Sequence, residues 1–120
     1  MAMLTLKFVT DVRDMEYEIV KFHGELDQST LKTAETQIDQ LVETTKSQYL
    51  IFDLSDMKFT NSEGVGFIIS THVKLVKRKR QLYIAAPKSN VQEVFDLIGL
   101  PKIISVFSSI NEAISFIKKK

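Results

Sequence analysis

Short apolar runs in this chain alternate with segments whose apolar residues recur at helical spacing. Residues 49–52 and 82–86 are almost continuously apolar, which predicts strands that are covered on both faces. Residues 4–8 alternate between apolar and polar side chains, which is typical of a half-buried strand. Residues 16–23 predict a second strand, with Tyr17 and Ile19 on one face and Val20 and Phe22 on the other. Residues 103–107 predict a short final strand.

The first two strands are close enough in sequence to form a hairpin. Arg13-Asp14 is the predicted turn between them, and the two strands should pair antiparallel at one end of the sheet. Four helices are predicted, over residues 31–45, 63–76, 91–98 and 110–117. Gly99 and Pro101 end the third of these helices.

Strands and helices alternate after residue 24, and this order requires mostly parallel pairing with crossover helices. The predicted fold class is therefore α/β. We expect a single domain spanning residues 1–120, with a small mixed, mostly parallel sheet and about four helices packed mainly on one face.

Polar residues follow the central apolar run and precede the second helix. Residues 53–56 predict a turn that ends the strand, and Phe59 is expected to re-enter the core. Ser62 is the predicted N-cap of the helix, and its hydroxyl is chemically accessible there. Gly64 and Gly66 leave the first turn without bulk, so another surface could approach the backbone. A serine that only caps the helix is the alternative interpretation.

Residues 53–66 resemble the signature of the STAS domain of anti-sigma factor antagonists. That signature is a strand ending in Asp-Leu-Ser, an apolar residue, and then Asp-Ser-Ser/Thr-Gly-Leu-Gly at the start of a helix. Residues 24–27, Gly-Glu-Leu-Asp, and the Gly-Leu step at 99–100 also match the family. Asn61 stands where the family usually has Asp, and Glu63 stands where it has Ser or Thr.

The resemblance implies a site and a function. Ser62 would be phosphorylated by an anti-sigma factor that is an ATP-dependent serine/threonine kinase. The unmodified form would bind this kinase and free a sigma factor, and a PP2C-like phosphatase would restore binding after phosphorylation. The implied partner-binding residues are Asp27, Thr60, Asn61, Ser62, Glu63, Gly64, Val65 and Gly66.

Two alternatives remain open at this point. The first is a non-phosphorylated STAS scaffold in a signalling assembly or a transporter complex, which Asn61 and Glu63 favour. The second concerns Asp27, whose carboxylate is expected to help cap the first helix as well as, or instead of, contacting a partner.

Composition narrows the functional classes. The 120 residues carry a net charge of +1, whereas nucleic-acid binding needs a clear basic excess. Cysteine is absent, and no apolar run reaches the length of a membrane helix, so we expect a cytoplasmic protein without a membrane partner. Neither a P-loop nor a Gly-x-Ser-x-Gly motif is present, which favours a kinase substrate over an enzyme. No cofactor or metal is expected, because His23 and His72 are isolated.

Two further features admit an ordinary explanation. His72 lies on the apolar face of its helix and is expected to be a hydrogen-bonded core histidine. Basic residues cluster at 74–80 and 118–120. There they would interact favourably with the negative C-terminal ends of the helices and would increase solubility. A surface for an acidic partner is the alternative interpretation of this cluster.

Overall fold

The sheet and its helices follow one another along the chain in the computed structural model, which describes residues 2–10 and 16–119. The predicted turn at Arg13-Asp14 lies outside the described residues. The elements are β1 (Leu4–Thr10), β2 (Tyr17–Leu26), α1 (Leu31–Thr44), β3 (Tyr49–Thr60), α2 (Ser62–Lys77), β4 (Gln81–Ala85), α3 (Ser89–Ile98), a 3-10 turn (Leu100–Lys102), β5 (Val106–Phe107) and α4 (Ile110–Lys118).

The described strands form one sheet in the order β1-β2-β3-β4-β5. β1 pairs antiparallel with β2, and each later neighbour pairs in parallel. This arrangement confirms the predicted α/β fold with a mixed, mostly parallel sheet and a hairpin at one end. Because β2 and β3 run in the same direction, the loops that follow them lie at the same edge of the sheet.

Alternating side chains of the strands bury two cores of unequal size. The larger core lies between one sheet face and helices α1, α2 and α3, with Phe22 and Phe52 at its centre 4.8 Å apart between ring centroids. The smaller core lies on the opposite face beneath α4 and contains Ile51 and Tyr83. The helices therefore pack mainly on one face, as predicted.

β3 is longer than the sequence indicates, and the predicted turn at residues 53–56 is wrong. The strand continues to Thr60, and its pairing with β2 shifts twice, between Lys21 and His23 and between Gly24 and Glu25. At each shift β3 contains one residue more than β2, which is the pattern of a β-bulge. Asp53 accepts a hydrogen bond from the Ser55 amide at 3.0 Å within the first bulge. The polar residues thus bend the strand instead of ending it.

β5 is shorter than predicted. Only Val106 and Phe107 are in the strand, because the chain after Gly99 continues into the 3-10 turn. The amides of Ile103 and Ile104 both donate to the Leu100 carbonyl, at 2.8 and 3.0 Å, so neither residue is available to the sheet. Among the described helices, none combines the length and the apolar character needed to cross a membrane.

Candidate functional site

The site predicted from the sequence lies where β2 and β3 end side by side. Leu26 and Thr60 are paired in the sheet, and the Thr60 hydroxyl donates to the Leu26 carbonyl at 2.8 Å. Thr60 is 1% exposed, and its hydrogen bond to Leu26 is buried. It ties the end of β3 to the end of β2 immediately before the chain turns into α2.

Asn61, not Ser62, is the N-cap of α2. Its side-chain carbonyl accepts the Gly64 amide at 3.1 Å, and its backbone carbonyl accepts the Val65 amide at 3.0 Å. The prediction that Ser62 caps the helix is therefore wrong. Asparagine is as good a cap as serine, and Asn61, which immediately precedes Ser62, occupies the cap position. Ser62 is the first residue of the helix, and its hydroxyl is not used for capping.

The predicted partner-binding residues divide into an exposed set and a buried set. Ser62, Glu63 and Gly66 are exposed, and Asn61 and Asp27 are half-buried. Thr60, Gly64 and Val65 are buried, and Val65 is 0% exposed. The exposed set lies on the first turn of α2 and the neighbouring loops, whereas the buried set holds that turn against the sheet.

Gly64 has a role inside the domain that the sequence did not indicate. A Cβ atom at this position would lie 2.6 Å from the Leu26 carbonyl oxygen and closer still to the Thr60 hydroxyl. Glycine is therefore needed so that α2 can approach the ends of β2 and β3. Nothing lies within 4 Å of a Cβ placed at Gly66. Of these two glycines, Gly66 is the one that leaves open space for another molecule.

Asp27 does not cap α1, and the predicted capping role is wrong. The cap position is Thr30, and no side chain makes a capping hydrogen bond there. The Asp27 carboxylate instead accepts the Ser29 amide at 2.9 Å and the Ser29 hydroxyl at 2.6 Å. The hydrogen bond from the Ser29 hydroxyl holds the pKa of Asp27 below its usual value. Asp27 therefore stays ionised and shapes the loop beside α2.

Two residues near the site were missed or misplaced by sequence reasoning. Gln28 joins the two loops, because its side-chain carbonyl accepts the Asn61 amide group at 3.0 Å. No sequence pattern indicates this contact. Phe59, expected in the core, is 42% exposed and lies three residues before Ser62. The second bulge of β3 changes the alternation of side chains at this point, and the sequence pattern does not reveal the bulge.

The sheet order, the division of helices between its faces and the exposed serine at the start of α2 define a small α/β domain of the STAS type. Residues 9–113 match the family model of the STAS domain, and the chain belongs to this family.

Known proteins that are similar to this chain in sequence or in fold include anti-sigma factor antagonists. The anti-sigma-B factor antagonist of Staphylococcus aureus is 27% identical over 104 residues, which cover 86% of this chain and 94% of that protein. An anti-sigma factor antagonist from Mycobacterium paratuberculosis superposes with a TM-score of 0.86 at 22% identity, covering 97% of this chain and 95% of that one.

The anti-sigma factor antagonist SpoIIAA, in its unphosphorylated form, has a TM-score of 0.77 at 21% identity and covers 98% of both chains. Bacillus SpoIIAA in its phosphorylated form has a TM-score of 0.68 at 21% identity, over 96% of this chain and 99% of that one. At such identities the solved structures establish the fold alone.

Proposed function

We propose that this protein is an anti-sigma factor antagonist that is controlled by phosphorylation of Ser62. The unmodified form binds an anti-sigma factor serine/threonine kinase and releases a sigma factor, and phosphorylation ends this binding until a PP2C-like phosphatase removes the phosphate. The observation that carries the proposal is the exposed Ser62 hydroxyl at the first position of α2 in a STAS domain. The names of the similar proteins support the same class of regulator.

The surroundings of Ser62 suit a phosphate acceptor. The hydroxyl oxygen would bond to the γ-phosphorus of ATP, ADP would leave, and the proton would pass to a base on the kinase. Thr60 is a poor competitor, because its hydroxyl is buried and donates to the Leu26 carbonyl. A kinase would have to break that hydrogen bond and separate β3 from α2 to reach it.

The helix start should tolerate the new charge. A phosphoserine adds about −1.5 to −2 charges at neutral pH. The amides of Ser62 and Glu63 occupy the first positions of the helix and have no acceptor within it. These amides and the positive end of the helix dipole favour an anion there. The domain should therefore remain folded, and the phosphate should act on the molecule that docks against this turn.

The expected loss of binding affinity on phosphorylation follows from the cost of burying an unpaired charge in the interface. Such a charge in an interface costs on the order of 2–5 kcal/mol, which corresponds to roughly 30- to several-thousand-fold in affinity. Ser62, Glu63 and Gly66 form the exposed part of the turn on which the charge would appear. A partner that contacts this turn would be released.

A pull-down from the source cell tests this function against the scaffold alternative. The protein would be immobilised and exposed to lysate with and without ATP, and mass spectrometry would identify both bait modifications and partners. We expect a kinase of the GHKL ATPase type, whose recovery falls when ATP is present. Recovery of other STAS proteins or of membrane transport subunits, with no modification of the bait, would contradict the proposal and support the scaffold.

Asn61→Asp should speed the phosphorylation of Ser62. One carboxylate oxygen can keep the cap on the Gly64 amide while the other accepts a hydrogen bond from the Ser62 hydroxyl, and Gln28 can turn its amide to donate instead of accept. A charge-assisted hydrogen bond of about 1 kcal/mol in the transition state would raise the rate roughly fivefold. Initial phosphate incorporation by the cognate kinase measures the effect.

The matched comparison for this prediction is Glu63→Ser, which removes the second departure from the family signature. We expect a smaller increase in rate from this change, because the Glu63 carboxylate only repels the incoming phosphate, and the double variant should combine both gains. An unchanged or slower rate for Asn61→Asp would mean that the kinase does not depend on a carboxylate at this position.

A further inference from the structure

The strand β1 forms one edge of the sheet. It is first in the strand order, so among the described strands it pairs with β2 alone. The Glu25 amide donates to the Met3 carbonyl at 2.8 Å, which shows that Met3 directs its backbone groups towards β2. These groups alternate in direction along an antiparallel strand, so Leu4, Leu6 and Phe8 direct their amides and carbonyls to the other side. No described strand pairs with them there.

β1 lacks most of the features that prevent edge strands from pairing with another chain. Lysine side chains, prolines and β-bulges are the usual protection. The seven residues of β1 pair with β2 without a register shift and include no proline. Lys7 is the single charged residue of the strand. The edge can therefore accept a further strand, provided that the strand places no positive charge opposite Lys7.

Apolar side chains are exposed along the same edge. Met3 is 73% exposed, Val9 is 45% exposed and Phe8 is 42% exposed. Phe8 points to the face of the larger core, because its neighbour Val20 on β2 belongs to that core. Met3 and Val9 alternate onto the opposite face of the sheet. An added strand would therefore bury apolar surface on both faces.

A neutral groove lies beside Phe8, between β1 and α1. Its volume is about 350 Å³, and it is lined by Phe8, Gln37, Gln40, Leu41 and Thr44. None of these five lining residues is charged. An apolar side chain on the added strand suits this groove better than a charged one, which would lose its hydration there.

β1 is complementary to a second copy of itself in an antiparallel register that has Leu6 on the two-fold axis. In this register Leu4 of one copy faces Phe8 of the other, beside the neutral groove, and Met3 faces Val9. The Leu6 side chain packs into the larger core, so Leu6 contributes only its backbone groups. The outward-directed residues then form hydrogen-bonded pairs, which provide about six backbone hydrogen bonds.

The charge on β1 favours the same register. With Leu6 on the axis, Lys7 of each copy faces the uncharged Thr5 of the other. A register with Lys7 on the axis would instead place the two lysines directly opposite each other, which is destabilising. A second copy therefore satisfies the backbone, the apolar side chains and the charge of this edge together.

The opposite edge of the sheet is short, and the chain beside it is buried. β5 contains only Val106 and Phe107, and Leu82 and Ile104 next to it are each 1% exposed. His72 lines the same cleft as these two residues. Its Nδ1 is buried without a hydrogen-bond partner among the described residues, so the predicted hydrogen-bonded core histidine is not found at this atom. Strand addition is therefore better suited to the β1 edge.

We propose that this protein forms a two-fold symmetric dimer in which β1 pairs antiparallel with β1 of a second copy, with Leu6 on the axis. The pairing joins the two sheets into one continuous sheet. Because the two copies run in opposite directions, their Ser62 turns lie at opposite edges of this sheet and stay accessible. The dimer goes beyond the function proposed for Ser62 and does not depend on it.

Sedimentation equilibrium and residue-resolved amide hydrogen exchange test the dimer in the wild-type protein. The interface is small, so we expect a dissociation constant between about 10 µM and 1 mM. As concentration rises through that range, exchange at the Leu4, Leu6 and Phe8 amides should slow about fivefold. The Thr5 and Lys7 amides, already directed to β2, should start more protected and change less. A monomer throughout, or concentration-dependent protection only elsewhere, would overturn the proposal.

Charge variants at Thr5 test the register. Thr5→Lys places like charges opposite each other twice in the dimer and should weaken dimerisation roughly fivefold. Thr5→Glu forms two attractive pairs with Lys7 and should strengthen dimerisation by a similar factor. Ser70→Lys is the control, because it adds the same charge at an exposed position of α2. It should change the dissociation constant by less than about twofold. Thr5 is exposed, and amide spectra would verify that each variant remains folded.

The variants can contradict the proposal in two ways. Equal weakening by Thr5→Lys and Ser70→Lys would mean that net charge, and not this edge, controls association. Equal effects of Thr5→Lys and Thr5→Glu would mean that Thr5 does not face Lys7 of the second copy. A wild type that stays monomeric, with edge amides protected only when a different protein is added, would mean that a strand of another protein occupies the edge instead.

Discussion

Ser62→Asp should abolish binding to the anti-sigma factor kinase while leaving the domain folded. The carboxylate places a charge on the exposed first turn of α2, where the loss of affinity expected for an unpaired interfacial charge is roughly 30-fold or more. Acidic residues are favoured in the first turn of a helix, so the melting temperature should stay within about 2 °C of the wild type. Titration calorimetry and thermal denaturation of the same samples measure both quantities.

Ser62→Ala and Ser70→Asp are the controls for this result. Ser62→Ala removes the acceptor without adding charge and should bind the kinase as the wild type does. Ser70 is exposed on α2 two turns further along, so Ser70→Asp adds the same charge to the same helix away from the Ser62 turn. If Ser70→Asp lost binding equally, or if Ser62→Asp unfolded the domain, the charge would not be acting locally at a docking surface.

Gly64→Ala should be the most destabilising single-methyl change at the site. The new Cβ would lie 2.6 Å from the Leu26 carbonyl oxygen. It would also collide with the Thr60 hydroxyl, which donates a hydrogen bond to that same carbonyl. Overpacking of this kind costs about 1–3 kcal/mol of unfolding free energy, which corresponds to a fall of roughly 4–15 °C in melting temperature for a domain of this size. Urea denaturation provides the free energy directly.

Gly66→Ala is the matched control, because it makes the same chemical change two residues later, where nothing lies within 4 Å of the added methyl. Replacing glycine by alanine inside a helix usually stabilises it, by about 0.5–1 kcal/mol. The two variants should therefore shift stability in opposite directions. Equal stability of Gly64→Ala and the wild type would show that α2 does not pack tightly on the ends of β2 and β3.

The start of α2 illustrates how far the sequence can predict the site. Helical spacing after residue 63 located the helix to within one residue, and the serine was correctly expected to be exposed. The choice of cap was wrong, since Asn61 and Ser62 are both good caps and only the backbone geometry decides between them. The consequence is chemical, because a serine that does not cap has a hydroxyl that is free to react.

β3 illustrates which structural features the pattern of apolar and polar residues does not reveal. Its polar residues 53–56 have the composition of a turn. The strand nevertheless continues to Thr60, and two β-bulges accommodate its extra residues. Bulges depend on pairing with β2, which is a long-range property. For the same reason the exposure of Phe59, the Gln28–Asn61 contact and the packing of Gly64 against Leu26 became visible only in the structure.

Mapping the phosphate after incubation with the cognate anti-sigma factor kinase and ATP tests the central claim most directly. Peptide mass spectrometry should find a single phosphate on Ser62, and Ser62→Ala should incorporate none. Modification confined to Thr60, Ser55 or Ser70, or no modification of the wild type by a kinase that binds it, would contradict the account.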